Sequence, residues 1–75
     1  FNPTTTVSFD LLKTGHVNLT LYDLQGRRIE TLVNQQLTRG SHRVEWHAAN
    51  LPSGMYIAQL STEYETRQLK MMLMR

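Results

Sequence analysis

The sequence predicts an all-β fold, an antiparallel β-sandwich of about seven short strands. Apolar residues alternate with polar ones at a period of two along most of the chain, which is the pattern of half-buried strands. Turn-forming residues separate these segments at roughly ten-residue spacing, as in all-β sandwiches. No segment of helical length carries an apolar stripe at helical spacing.

The first two strands show the clearest alternation. Their apolar positions are Val7, Phe9 and Leu11, followed by Val17, Leu19 and Leu21. A type I turn is predicted next, because Asp23 and Gly26 occupy the first and last positions that this turn prefers. A third strand is predicted at residues 28–33, where Leu32 beside Val33 breaks the alternation and indicates a bulge.

The middle of the chain contains a polar loop and two further strands. Residues 34–40 are predicted as a loop with a short pairing around Leu37, and residues 41–47 alternate again. Residues 50–54 are rich in turn formers. In residues 55–60, the side chains that would point to either face of a strand are apolar, except for Gln59. This pattern predicts a central strand that is covered on both sides.

The last strand is predicted at residues 66–74, after a polar reversal at residues 63–65. Its apolar positions Leu69, Met71 and Leu73 share one face. The two faces of the sandwich can then be filled by apolar residues from all strands: Val7, Phe9, Leu19, Leu21, Ile29, Val44, Trp46, Tyr56, Leu60, Met71 and Leu73.

Length and composition limit the organisation of the chain. Its 75 residues allow a single domain over residues 1–75, and we expect residues 1–5 to be the end of a linker, with Pro3 favouring an extended chain. There is no cysteine, so the fold depends on its apolar core. We expect neither a signal peptide nor a transmembrane segment within these residues.

Catalytic and metal-binding patterns are absent from the sequence. His42 and His47 differ by five positions, so within one strand they lie on opposite faces, and a metal site needs three or four convergent ligands. No serine lies in a Gly-x-Ser-x-Gly motif. The acidic residues are scattered, without the paired carboxylates of a glycosidase. The sequence therefore predicts a protein that is not an enzyme and has no cofactor or metal.

Binding functions leave two alternatives open. The chain has a pI of about 9.4, but its net charge is only +2. The single pair of adjacent basic residues, Arg27 and Arg28, has no aromatic neighbour in the sequence, so we expect no nucleic-acid partner. Sugars could stack on Tyr22 or Tyr64. Trp46 lies two positions after Val44 and so on the same face of the predicted strand, which favours a place in the core over a sugar-binding surface. A carbohydrate-binding or structural accessory module therefore remains an alternative.

Two further positions allow more than one interpretation. Asn18-Leu19-Thr20 matches the glycosylation sequon, but in the middle of a strand it is better interpreted as part of a cross-strand polar pair. Tyr56 follows a turn and enters a central strand, which is typical of the tyrosine corner, in which the hydroxyl bonds to nearby backbone. A plain buried tyrosine is the other interpretation.

A series of short motifs spans nearly the whole chain in order. These motifs are Phe1-Asn2-Pro3-Thr4-Thr5-Thr6, Gly15-His16-Val17, Leu21-Tyr22-Asp23-Leu24-Gln25-Gly26-Arg27, Leu32-Val33, Gly40-Ser41-His42, Leu51-Pro52-Ser53-Gly54-Met55-Tyr56 and the ending Lys70-Met71 to Arg75. Their order and spacing resemble the C-terminal sorting domain (type A) of the cargo proteins of the bacterial type IX secretion system.

The resemblance implies an immunoglobulin-like sandwich that serves as an address on secreted proteins of Gram-negative bacteria. In this family an outer-membrane translocon recognises the domain, and a sortase-like peptidase usually removes it as the cargo is attached to the cell surface. We therefore expect secretion through the periplasm, surface localisation and fusion to an N-terminal cargo domain.

The resemblance also assigns roles to individual positions. It implies partner recognition by one set of residues and a scaffold role for another. The first set is Arg27, Lys70, Met71, Leu73 and Arg75; the second is Gly26, Gly54 and Tyr56.

The Ig-like domain of the flagellar hook-capping protein is a related alternative, since it shares the Tyr-Asp and Gly-Arg pattern. It typically carries Trp-Asp-Gly where this chain has Trp46-His47-Ala48. This departure, together with the basic apolar ending, favours the sorting domain.

Overall fold

The computed structural model describes residues 4–48 and 51–74 of the chain. These residues form an all-β structure of antiparallel strands without a helix, which confirms the predicted fold class. Six strands are present in this part of the chain, against the seven or so predicted: β1 (Thr4–Leu11), β2 (Gly15–Tyr22), β3 (Arg28–Leu37), β4 (Gly40–His47), β5 (Gly54–Ser61) and β6 (Thr66–Leu73).

The strands form two sheets of unequal size. β1 pairs with β4 in a two-stranded sheet, and the other four strands form a sheet in the order β3-β2-β5-β6. Short turns connect β2 with β3 and β5 with β6, so these neighbours in sequence are also neighbours in the sheet. The arrangement is consistent with the Ig-like sandwich that the resemblance implies.

The core lies between the two sheets. It contains Ala48, which follows β4, and buried residues of both sheets: Val7, Phe9, Leu11, Val17, Leu19, Leu21, Val33, Trp46, Tyr56, Ala58, Leu60 and Leu73. Of the predicted core, Ile29, Val44 and Met71 are only half-buried and pack against its rim. Burial of a large apolar side chain contributes about 1.5–3 kcal/mol to the free energy of folding. Because the chain has no cysteine and hence no disulfide, its stability depends on these buried contacts.

β3 starts at the predicted residue but ends later than predicted. The predicted bulge is confirmed, because Leu19 pairs with Val33 and Thr20 pairs with Thr31, which leaves Leu32 as the extra residue. The predicted loop at residues 34–40 is wrong at its start, since the strand continues without interruption to Leu37. The predicted pairing around Leu37 is present, opposite Gly15. Residues 34–36 are polar because β3 is an edge strand whose side chains are exposed there.

β1 begins earlier than expected. Thr4 and Thr5, which we assigned to the end of a linker, pair with His47 and Trp46. Pairing with β4 therefore fixes these two threonines as strand residues. Residues 1–3 lie outside the described part of the chain.

Strand alternation gives the four-stranded sheet two different faces. The inner face carries Leu21, Ala58 and other buried side chains, and the two-stranded sheet packs on it. The opposite side, here called the outer face, carries Tyr22 and Ile57, which are half-buried. β5 is central, as predicted, but only its inner side is fully covered by the described residues.

Candidate functional site

The turn between β2 and β3 contains the Gly26-Arg27 motif. The N–H of Gly26 donates to the carbonyl of Asp23 at 3.1 Å, and the N–H of Asp23 donates to the carbonyl of Arg27 at 3.0 Å. Gly26 has a φ of 86°, a left-handed conformation that glycine adopts without strain. The predicted turn is therefore present, with Gly26 at its last position.

The carboxylate of Asp23 holds this turn together. Its Oδ1 accepts hydrogen bonds from the backbone N–H groups of Gln25 at 2.9 Å and Arg27 at 3.0 Å. Its Oδ2 accepts from Nε of Arg27 at 2.7 Å. The Asp23 side chain is only 13% exposed, whereas that of Arg27 is 75% exposed. One edge of the guanidinium therefore stabilises the turn while most of the side chain faces solvent.

These contacts set the charge state of Asp23. Desolvation by itself raises the pKa of the carboxyl. This rise is outweighed by contacts that lower the pKa. They are the backbone hydrogen bond from Arg27, the side-chain hydrogen bond and charge of Arg27, and the backbone hydrogen bond from Gln25. The pKa of Asp23 thus lies below its ordinary value of 3.8, and the carboxylate is ionised at neutral pH.

Tyr56 is fixed by its hydroxyl and by its ring. The hydroxyl donates a 2.8 Å hydrogen bond to the carbonyl of Pro52, four residues earlier. The ring meets Trp46 edge to face, with a centroid separation of 5.3 Å. The bond to upstream backbone confirms the tyrosine-corner interpretation of Tyr56, and the burial of Trp46 confirms its predicted place in the core.

The two motif turns lie at the same end of the four-stranded sheet. Tyr22 pairs with Ile57 and Gly54 pairs with Leu73, so the end of β2, the start of β5 and the end of β6 adjoin. A groove of about 330 Å³ separates the turns; its lining comprises Asp23, Leu24, Gln25, Arg27, Ile29, Leu51, Pro52, Ser53, Gly54, Met55 and Tyr56. We call this cavity the motif groove. It brings together Arg27, Gly54 and Tyr56, which the sequence singled out separately.

The predicted recognition residues of the last strand are divided between two faces. Leu73 is buried and Met71, opposite Tyr56, is half-buried, so both side chains pack inward. Lys70 is exposed on the outer face opposite Ile57. Met72, which we did not single out, is 59% exposed. Arg75 lies outside the described residues.

Two features of this end of the molecule were missed by sequence reasoning. Asp23 was identified only as a turn former, although a carboxylate four residues before an arginine indicates the observed ion pair. Arg28 was considered only as part of a basic pair, and its place on the outer face beside Tyr22 depends on a register with two bulges.

Comparison with known proteins identifies the chain. The sequence model of one family, described as the secretion system C-terminal sorting domain, matches residues 2–74. The chain belongs to this family. Curated proteins and solved structures gave no significant match. The sorting domain is a signal for type IX secretion, which directs an attached cargo across the outer membrane and to the cell surface.

The histidines of the sorting domain have separate partners. Nε2 of His16 lies 2.7 Å from Oδ1 of Asn34, Nε2 of His42 lies 2.7 Å from the carbonyl of Thr38, and His47 contacts Thr4. Within residues 4–48 and 51–74, no group of three or more metal-ligating side chains is close enough to hold an ion. The family is not a catalytic one.

The tyrosines considered for sugar stacking do not share a surface. Tyr22 lies near the start of β5, opposite Ile57, whereas Tyr64 lies in the turn that follows the end of this strand. The side chain of Lys13 covers the ring of Tyr64 at 4.4 Å. The Thr20 hydroxyl donates to Oδ1 of Asn18 in the same strand at 2.5 Å. Across the strands, it lies 3.5 Å from the hydroxyl of Thr31 in β3. In the described part of the sorting domain, no helix is long and apolar enough to span a membrane.

Proposed function

We propose that residues 1–75 act as one sorting domain that is recognised, in its folded state, by the outer-membrane translocon and by a sortase-like peptidase. It carries no catalytic activity of its own and is fused to an N-terminal cargo domain. The observation that supports this proposal best is the motif groove, because it gathers family motifs from two distant segments of the chain into one surface.

The groove can serve recognition because hydrogen bonds hold both of its walls and its rim is charged. The Asp23 carboxylate fixes one wall, and the Tyr56 hydroxyl fixes the other through Pro52. Arg27 stands at the rim with most of its side chain exposed. A preorganised surface of this kind loses little conformational entropy when a partner binds.

The residues of the proposal then have different roles. Arg27 and Lys70 are exposed and contact the partner directly. Met71 and Leu73 pack inward and hold the last strand in place, so their effect on recognition is indirect. Gly54 and Tyr56 line the groove, and Gly26 closes the turn that forms one of its walls. Arg75 adds a positive charge to the recognition residues that follow Lys70 in the sequence.

A reporter fusion tests the proposal. Residues 1–75 are fused behind a reporter that carries a periplasmic export signal, in a strain with the type IX system and in a matched strain without its translocon. We expect surface or extracellular reporter in the first strain and periplasmic reporter in the second. Cleavage by the peptidase would reduce the fusion by as much as 8.7 kDa.

Two controls separate recognition from general export. Deletion of residues 70–75 should retain the reporter in the periplasm, whereas deletion of residues 1–3 should not. The proposal is wrong if the complete fusion stays in the periplasm of the competent strain, or if the deletion of residues 70–75 leaves secretion unchanged.

A further inference from the structure

The outer face carries a row of four side chains that crosses every strand of the larger sheet. Arg28 pairs with Tyr22, Tyr22 pairs with Ile57, and Ile57 pairs with Lys70. Residues directly opposite each other lie on the same face of a sheet. Since neighbouring strands are about 4.8 Å apart, the backbones of Arg28 and Lys70 lie roughly 14 Å apart, with the tyrosine and the isoleucine between them. We call these four residues the basic row.

The positive charge of the basic row is not balanced on its own face. Glu30 is the only acidic residue in the four strands of this sheet. Glu30 pairs with the buried Leu21 and therefore lies on the inner face, opposite to the basic row. Asp23 borders the face, but its carboxylate is paired with Nε of Arg27 at 2.7 Å. Within the described residues, neither Arg28 nor Lys70 has an ion-pair partner.

Adaptable apolar surface adjoins the basic row. Met55 and Met72 pair directly beside it, and Met72 is exposed. A hollow of about 350 Å³ opens on the same side, and its lining includes Tyr22, Leu24 and Ile57. Methionine, tyrosine and arginine are enriched at protein interfaces, where flexible thioethers fit irregular partners.

We propose that the outer face docks an acidic protein surface, whose carboxylates pair with Arg28 and Lys70 while an apolar side chain enters the hollow. This inference rests on the proposed function, since the partner belongs to the machinery that recognises the sorting domain. A protein fits better than a lipid surface because the next row across the sheet is polar, with Nε2 of Gln68 donating to Oε1 of Gln59 at 3.0 Å. Such groups find partners in a protein interface but not among acyl chains.

Charge reversal in the secretion assay tests the inference. The double variant Arg28→Glu/Lys70→Glu is compared with Arg39→Glu/Arg43→Glu, which makes the same change of net charge at exposed positions of the β3–β4 turn and of β4. We expect the first variant to reduce secretion roughly tenfold or more, because a close charge pair becomes a repulsion. The second should secrete as the unchanged fusion does.

Several outcomes would overturn the docking surface. Equal secretion by the two double variants, whether high or low, would show that the position of the charge is irrelevant. Failure of the unchanged fusion would instead contradict the proposed function. Circular dichroism checks that each variant is folded. If the charge-reversal variant is unfolded, Arg28→Gln/Lys70→Gln replaces it. We then expect a smaller reduction in secretion, which the control variant Arg39→Gln/Arg43→Gln should not show.

Co-sedimentation of the purified fusion with vesicles distinguishes the two classes of partner. Vesicles of phosphatidylglycerol and phosphatidylcholine are used, with pure phosphatidylcholine as the control. A fusion that stays in the supernatant supports a protein partner. Sedimentation with the anionic vesicles that Arg28→Glu/Lys70→Glu abolishes would assign the basic row to an anionic lipid surface and overturn the inference.

Discussion

The ring of Trp46 meets the ring of Tyr56 edge to face, with centroids 5.3 Å apart and planes inclined by 71°. Trp46 belongs to the two-stranded sheet and Tyr56 to the four-stranded sheet, so this pair joins the two layers of the sandwich. The Tyr56 hydroxyl also bonds to Pro52 at the edge of the motif groove. The core and the candidate recognition surface therefore share one side chain.

The first prediction concerns the hydroxyl of Tyr56. Tyr56→Phe removes the hydrogen bond to the Pro52 carbonyl and keeps the ring, so we expect the free energy of unfolding to fall by about 0.5–1.5 kcal/mol. Urea denaturation measures the change. Tyr64→Phe is the matched control, because Tyr64 is 63% exposed and should tolerate the change. Equal midpoints for both variants would show that the bond does not stabilise the fold.

The second prediction concerns the indole of Trp46. This side chain is fully buried, and Trp46→Ala should cost about 3–5 kcal/mol through lost contacts and a cavity. Domains of this length have a total stability of roughly 4–11 kcal/mol, so little would remain. We expect loss of the near-UV circular dichroism signal and of cooperative urea unfolding. A cooperative transition close to that of the unchanged chain would contradict the assigned place of Trp46.

The local features of the fold were accessible to sequence reasoning. Alternation identified β1, β2 and β4, and the break at Leu32 identified a bulge, because each depends on neighbours in the chain. A short pairing around Leu37 was predicted, but the continuous strand through residues 34–36 was not, since polar residues in an edge strand have the same composition as a loop. Pairing with Gly15 decides this case, and pairing is a tertiary property.

The candidate site was only partly predictable for a similar reason. Gly26, Gly54 and Tyr56 were identified from turn chemistry and from the family resemblance. The basic row joins Arg28 to Lys70 across four strands, and its alignment depends on three registers, one of which contains two bulges. A shift of one residue in any register would move a member to the other face. The alternation of apolar residues in β6 was enough to place Leu73 on the inner face. It could not identify the residues that lie opposite Leu73 in the neighbouring strand.

The third prediction concerns the backbone at Gly26. An added Cβ would meet no heavy atom within 4 Å, so the effect of Gly26→Ala comes from the φ of 86° alone. We expect a loss of about 1–2 kcal/mol in the free energy of unfolding. Gly26→Asn should lose less, because asparagine tolerates the left-handed region. Thermal unfolding of both variants checks this order, and a more stable alanine variant would contradict it.

The fourth prediction concerns the response of the turn to acid. The pKa of Asp23 is lowered in the folded state, so its carboxylate contributes stability that is complete above the unfolded pKa and is lost as the pH falls through the folded value. Asp23→Asn keeps an oxygen acceptor but does not titrate. We expect the unchanged chain to lose more stability than this variant between about pH 6 and about pH 2.5. Parallel urea denaturation curves at the two pH values measure the difference; the same loss in both proteins would contradict the assigned role.

The fifth prediction compares two leucines that share the inner face. Leu60 is 2% exposed, whereas Leu69, opposite Ala58, is 41% exposed because the two-stranded sheet does not cover all of β6. Leu60→Ala should cost about 2–5 kcal/mol, while Leu69→Ala should cost less than about 1 kcal/mol, since it leaves no closed cavity. Urea denaturation of the two variants gives the comparison. A large cost at Leu69 would show that another part of the protein covers β6, because only a packed neighbour could make this side chain essential for stability.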